Sequence, residues 1–142
     1  MNQTMRQNMT KKTFCIIFFM TSNISFANEL ILQEFVKESQ SKSQKLLSFS
    51  ASDGEKMFRN ERINSEGKKI SCMTCHTTDP KLPGFTRANK RIEPMAVSIN
   101  PERFKEMSKV QKWFKRNCND VYERDCTIQE KGNFTKFMMT IK

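Results

Sequence analysis

The run Cys72-Met73-Thr74-Cys75-His76 constrains this chain more than any other feature of it. Two cysteines three positions apart on a helical turn project to one side, and the histidine that follows is the only one in the sequence. The spacing suits two thioether bonds to the vinyl groups of a porphyrin, with His76 as the proximal ligand to its iron, and so predicts one covalent haem c. A thioredoxin-like redox pair would expect a βαβ context, which is absent. A zinc site would expect two further ligands at close spacing, whereas Cys118 and Cys126 stand apart and there is no second histidine. To coordinate, His76 must present an unprotonated nitrogen, and its other nitrogen should donate to a nearby acceptor; a carbonyl around Pro80 or Pro83 is the expectation.

The first residues read as an export signal. Residues 1–12 are polar and carry only positive charge (Arg6, Lys11, Lys12); an apolar run follows at residues 14–20, and then Ser25-Phe26-Ala27. This is a basic segment, an apolar segment and a small-x-small cleavage site, so residues 1–27 are expected to be removed after Ala27 and the product to be periplasmic. The apolar run is shorter than the roughly 20 residues that span a bilayer, which makes an uncleaved anchor the weaker alternative. Cleavage would leave 115 residues, reduce the five cysteines to Cys72, Cys75, Cys118 and Cys126, and lower the formal charge from +10 to +7. A surface that basic favours an acidic partner or an anionic membrane surface. No nucleic-acid reader motif is present.

Along the rest of the chain the patterns are helical. Leu30, Ile31, Leu32, Phe35 and Val36 predict a loosely docked N-terminal extension over residues 28–50, ahead of one domain over 51–142. Asp53 can cap a helix carrying Met57 and Phe58 towards the core. Residues 60–71 and the Pro-bearing stretch 77–100 read as loops, the second long enough to be functional. Asn100-Pro101 predicts the start of a helix over 101–117, with Phe104, Met107, Val110, Trp113 and Phe114 on one face. Thr127 and Glu130 form a capping box ahead of Phe134, Phe137, Met138 and Ile141. No alternating β pattern competes, so the fold class is all-α. A chain of this size with long loops buries little by itself, and a flat apolar cofactor would supply interior.

With one histidine, a second imidazole from the same molecule is impossible. A methionine, a lysine, an asparagine or an open position remains for the other side of the iron. Met57, Met73, Met107, Met138 and Met139 lie on core faces or inside the attachment motif, which leaves Met95 in the long loop as the first choice on the residues alone.

From Ser71 onwards the chain resembles the sphaeroides haem protein (SHP) family of monohaem class I cytochromes c. The likeness is carried by Ser71 to His76, Asp79, Gly84, Thr86, Lys90, Ile92, Pro94, Ala96, Ser98, Pro101, Arg103-Phe104, Val110, Lys112-Trp113, Arg116 to Asn119, Arg124 to Thr127 and Glu130-Lys131. The resemblance implies a class I cytochrome c-like helical fold wrapped around one covalent haem, with long loops. It implies Asn117 as the sixth ligand and a disulfide between Cys118 and Cys126. It also implies a weak amide ligand that leaves on reduction and opens the iron to oxygen, nitric oxide or carbon monoxide, with electrons from a dihaem cytochrome c and a membrane cytochrome b.

Ligand chemistry agrees with this, because a hard, neutral amide oxygen suits Fe(III) better than Fe(II). A disulfide closing nine residues is worth about 2.5 kcal/mol and would fix the neighbouring Asn117. A helix C-cap is the other use for Asn117. Asn89 stands where the family often has glycine and tolerates a left-handed backbone, and Met95 stands where an aliphatic residue is also found. Three readings follow: an electron carrier with a displaceable Asn117, a plain carrier with fixed His76 and Met95, and an oxygen-dependent scavenger of nitric oxide. No catalytic acid or base is evident, so a non-enzymatic carrier is the main expectation.

Overall fold

The computed structural model describes residues 24–42 and 48–142. The expected signal therefore lies largely outside the described residues. Five helices and two short β-ribbons follow in the order α1 (Ile24–Ser41), α2 (Ala51–Arg59), β1 (Arg62–Ile63), β2 (Lys69–Ile70), α3 (Met73–His76), β3 (Gly84–Phe85), β4 (Arg91–Ile92), α4 (Met107–Tyr122) and α5 (Ile128–Thr140).

The core forms where α5 packs on α2 and α1. Gly54 is the reason that α2 comes so close: a Cβ there would sit 2.0 Å from the Asn133 carbonyl oxygen on α5. Phe58 is fully buried between Phe134 and Phe137, with ring centroids 6.3 and 5.9 Å away. Ser50, not Asp53, caps α2, accepting from the Asp53 N–H at 3.2 Å, while Asp53 in the first turn pairs with Lys56. Met57 is only partly buried.

The N-terminal extension is not loosely docked. Ile31, Leu32 and Phe35 lie on one side of α1 and are buried, and Phe35 meets Phe114 edge-on at 6.2 Å. Three apolar side chains in little more than a turn, removed from water, contribute about 1.5–3 kcal/mol each, which makes α1 part of the core.

Both loops expected between the helices contain a two-residue antiparallel ribbon, too short to print an alternating pattern. One pairs Arg62 with Ile70, the other Gly84 with Ile92. Asn89 turns the second at φ +55°, the left-handed conformation anticipated for it.

The helix expected over 101–117 begins later, at Met107, and ends later, at Tyr122. Phe104 takes φ +57°, which no helix accommodates. Ahead of it, the Arg103 side chain is held by the carbonyls of Pro94 and Glu93, at 3.0 and 2.6 Å. Asn117 consequently lies inside α4, with Glu123 as the left-handed C-cap, so the capping role considered for Asn117 is excluded.

The box ahead of α5 is complete. Thr127 Oγ1 accepts from the Glu130 N–H at 3.1 Å, and the Glu130 carboxylate accepts from the Thr127 N–H at 2.8 Å. Among the described residues no helix is long and apolar enough to cross a membrane.

Candidate functional site

Cys72 to His76 form a single helical turn. The His76 N–H donates to the Cys72 carbonyl at 3.1 Å, and Thr74 Oγ1 closes the start by accepting from the Ser71 N–H at 2.9 Å. Thr77 ends the turn at φ +61°. Strand β3 is pressed against its back: a Cβ at Gly84 would lie 1.9 Å from the Cys75 carbonyl oxygen. Only glycine permits that approach, and the β3–β4 ribbon thereby supports the turn.

Both cysteines of the turn are free thiols, partly buried. Burial pushes the Cys72 thiol up to about 11, partly offset by a hydrogen bond with the Tyr122 phenol. Tyr122, raised well above its ordinary range by burial and then by Cys72, donates to the Met57 carbonyl at 2.6 Å. One phenol therefore ties the end of α4 to α2 and to the attachment turn.

His76 is pushed down to about 4, first by burial and then by the charge of Arg103. At neutral pH its imidazole is uncharged, the form that coordinates iron. Its ring makes no hydrogen bond among the described residues. The acceptor expected near Pro80 or Pro83 is not used: the Pro80 carbonyl takes the N–H groups of Met95 and Ala96, at 2.8 and 3.0 Å, which fills both of its lone pairs.

Arg103 is the neighbour that motif reading missed. Its carbonyl accepts from Asn28 Nδ2 at 2.6 Å, so α1 reaches the same corner. Asn28 is 1% exposed and its Oδ1 has no hydrogen-bond partner among the described residues. The guanidinium meets carbonyls but, among the described residues, no carboxylate within ion-pair distance, and burial lowers its affinity for its proton. Tyr122 was missed as well. The only signal for it was its singularity as the one tyrosine of the chain, four residues after Cys118.

The two candidates for the far side of the iron differ in their surroundings. Met95 is 7% exposed and belongs to the apolar core, its N–H fixed by Pro80. Asn117 is half-buried within α4, and its amide makes no hydrogen bond among the described residues. The next residue, Cys118, is paired with Cys126. The two side chains thus differ in exposure and in partners.

This set of donors fits a covalent haem. Two free thiols flank a helical turn, a neutral imidazole follows them, and a half-buried guanidinium has no carboxylate within ion-pair distance among the described residues, the place that a propionate would fill. Exposed apolar side chains at Leu82, Phe85, Ile99 and Trp113 provide surface that a porphyrin can cover. Among the described residues no cluster of histidine, cysteine, aspartate or glutamate suits a bare metal ion.

Comparison with known proteins agrees. A family described as "Domain of unknown function (DUF1924)" matches residues 44–138. "Cytochrome c-type protein SHP" of Cereibacter sphaeroides is 39% identical over 88 residues, 62% of this chain and 68% of that protein. "Cytochrome c''" of Methylophilus methylotrophus is 35% identical over 92 residues, 64% of this chain and 64% of that protein. The crystal structure of oxidised cytochrome c'' from the same organism superposes with a TM-score of 0.71 at 29% identity, covering 82% of this chain and 95% of that one. The structure of oxidised SHP, described as an oxygen-binding cytochrome c, gives 0.66 at 30% identity and covers 78% and 94%.

Proposed function

Since this chain belongs to the DUF1924 family and to the SHP-like cytochromes c, we propose that it is a periplasmic electron carrier with one haem c bonded through Cys72 and Cys75, ligated by His76 and weakly by Asn117. The haem would supply a one-electron Fe(III)/Fe(II) couple and, once the sixth position opens, a place for oxygen, nitric oxide or carbon monoxide.

The chain's own residues have separate tasks in this reading. Ser71, Thr74 and Gly84 hold the attachment turn in shape, so that Cys72 and Cys75 face one edge of the porphyrin. Burial keeps His76 neutral. Arg103 offers positive charge beside it for a propionate. The pairing of Cys118 with Cys126 anchors α4 directly beyond Asn117, so the amide is held close and can still yield.

One observation carries the ligand assignment: Asn117 is a half-buried amide in mid-helix with no hydrogen-bond partner among the described residues, whereas Met95 is engaged in the core. The relatives support the wider reading. SHP is described as oxygen-binding, and the solution structure of cytochrome c'' is described as bearing on haem-ligand detachment. Electron exchange with a dihaem cytochrome c and a membrane cytochrome b belongs to the same proposal, and the basic surface would favour acidic partners. Turnover of nitric oxide would be a side activity of the iron, with no acid or base from the chain.

The test is a set of ferric and ferrous spectra, with and without carbon monoxide, on the exported protein and on Asn117→Ala. The variant should keep its haem on a denaturing gel and show a ferric spectrum that responds to water and added anions. A ferric spectrum identical to that of the parent would sink the assignment, and a sulfur-to-iron band in the far red would give the position to Met95. Cys75→Ser should greatly reduce covalent haem in the same gel assay.

A further inference from the structure

Trp113 and Asn117 are four residues apart on α4, so their side chains leave the same flank of the helix, about one turn or about 6 Å apart. That flank lies beside the core face rather than on it. Val110, Phe114, Cys118 and Val121 are buried, Asn117 is half-buried, and Trp113 is 47% exposed. The other helical neighbours of Asn117 are unavailable as an apolar wall: Phe114 and Val121 are in the core, and Asp120 is exposed and acidic. The indole is the only tryptophan of the chain. Leaving it half in water forgoes burial that a flat apolar partner on that flank would recover. It is also braced. The Arg116 guanidinium lies 5.6 Å over the ring and makes no ion pair among the described residues.

We propose that Trp113 forms the wall of the distal haem side, where its indole, steadied by Arg116, limits how fast a diatomic ligand reaches the iron. The proposal rests on the reading of Asn117 as the sixth ligand. With that amide at the iron, the residue one turn earlier lies over the porphyrin, across the approach that an incoming gas must take. Trp113 acts here through shape, as a positioning residue, and forms no bond to the ligand.

The test is the rate of carbon monoxide association with the ferrous holoprotein after flash photolysis. Trp113→Leu should bind about tenfold faster, a change easily resolved. Trp113→Phe should return most of the way to the parent rate, and Arg116→Gln should fall between the two. The residue is half exposed, so its replacement leaves the core in place; equal thermal midpoints for the Leu and Phe variants would mark the rate change as local. The ferric spectrum of Asn117→Ala separates the two ideas. If that spectrum changes while Trp113→Leu keeps the parent rate within about twofold, the wall is refuted and the ligand assignment stands. If that spectrum does not change, both fall.

Discussion

The side of the molecule built from α2 and α5 and the side built from residues 71–106 with the flank of α4 are finished in different ways. On the first, backbone meets backbone at Gly54, Phe58 and Met138 are fully buried, and the Asn133 amide oxygen receives both the Ser50 N–H and Gln129 Nε2, at 2.9 and 2.8 Å. On the second, three of the four non-glycine residues with positive φ among the described residues occur (Thr77, Asn89, Phe104), apolar side chains stand in water, and neither the His76 ring nor the Asn117 amide makes a hydrogen bond among the described residues. The first side is completed by its own side chains. The second has the composition of a surface completed by something that is not polypeptide, in keeping with the likeness to cytochromes c.

Substitutions at matched positions should break this contrast or sharpen it. Gly54→Val forces a branched side chain into the Asn133 backbone and should cost about 3 kcal/mol or more, read from urea unfolding by far-ultraviolet circular dichroism. A loss below about 1 kcal/mol would mean that the α2–α5 contact is soft. Gly84→Ala makes an equally close approach, to Cys75, but on a two-residue strand that can shift; about 1–2 kcal/mol is expected. Its larger effect should be on the site, as a lower yield of attached haem. Unchanged yield and spectrum would show that the ribbon does not shape the turn.

Glu130→Gln is the mildest of the three. Glutamine keeps the capping box and loses the charge that meets Arg124 at 2.6 Å, so about 0.5–1 kcal/mol should be lost at pH 7, given that Arg124 is half exposed. The Glu130 carboxyl is held below its ordinary value, chiefly by the hydrogen bond from Arg124. A depressed value in the folded state means stability that is present above the unfolded value, near 4.3, and lost as pH falls through the folded one. The gap between parent and variant should therefore narrow as pH falls below the unfolded value, and a gap that stays constant through the acid range would contradict the role of the charge.

What could be read in advance divides along similar lines. The attachment turn was legible because its spacing is itself the chemistry, and the α5 cap because Thr127 and Glu130 act within one turn. The start of α4 was not, since Asn100-Pro101 is a sound local signal that loses to a distant one: Arg103 is bound by Glu93 and Pro94, and Phe104 is turned left-handed. The apolar stripe of α1 was visible, yet its burial depends on α5 and Phe114, which no local pattern reports. Donor chemistry favours Met95 on the residues alone, and its burial in the core is set by tertiary packing that no local pattern reports. Arg103 and Tyr122 became prominent only when the fold brought them to His76 and Cys72.

The bond from Ser50 to Asn133 spans 83 residues, and that from Asn28 to Arg103 spans 75. Contacts this remote in the chain form late, because long loops must close before they are rewarded. Cys72 and Cys75 lie between these partners, on a turn whose backbone bonds reach no further than four residues. The turn can therefore take shape while the two ends of the polypeptide are still apart, with both of its sulfurs open to chemistry before the last helix shuts the interior.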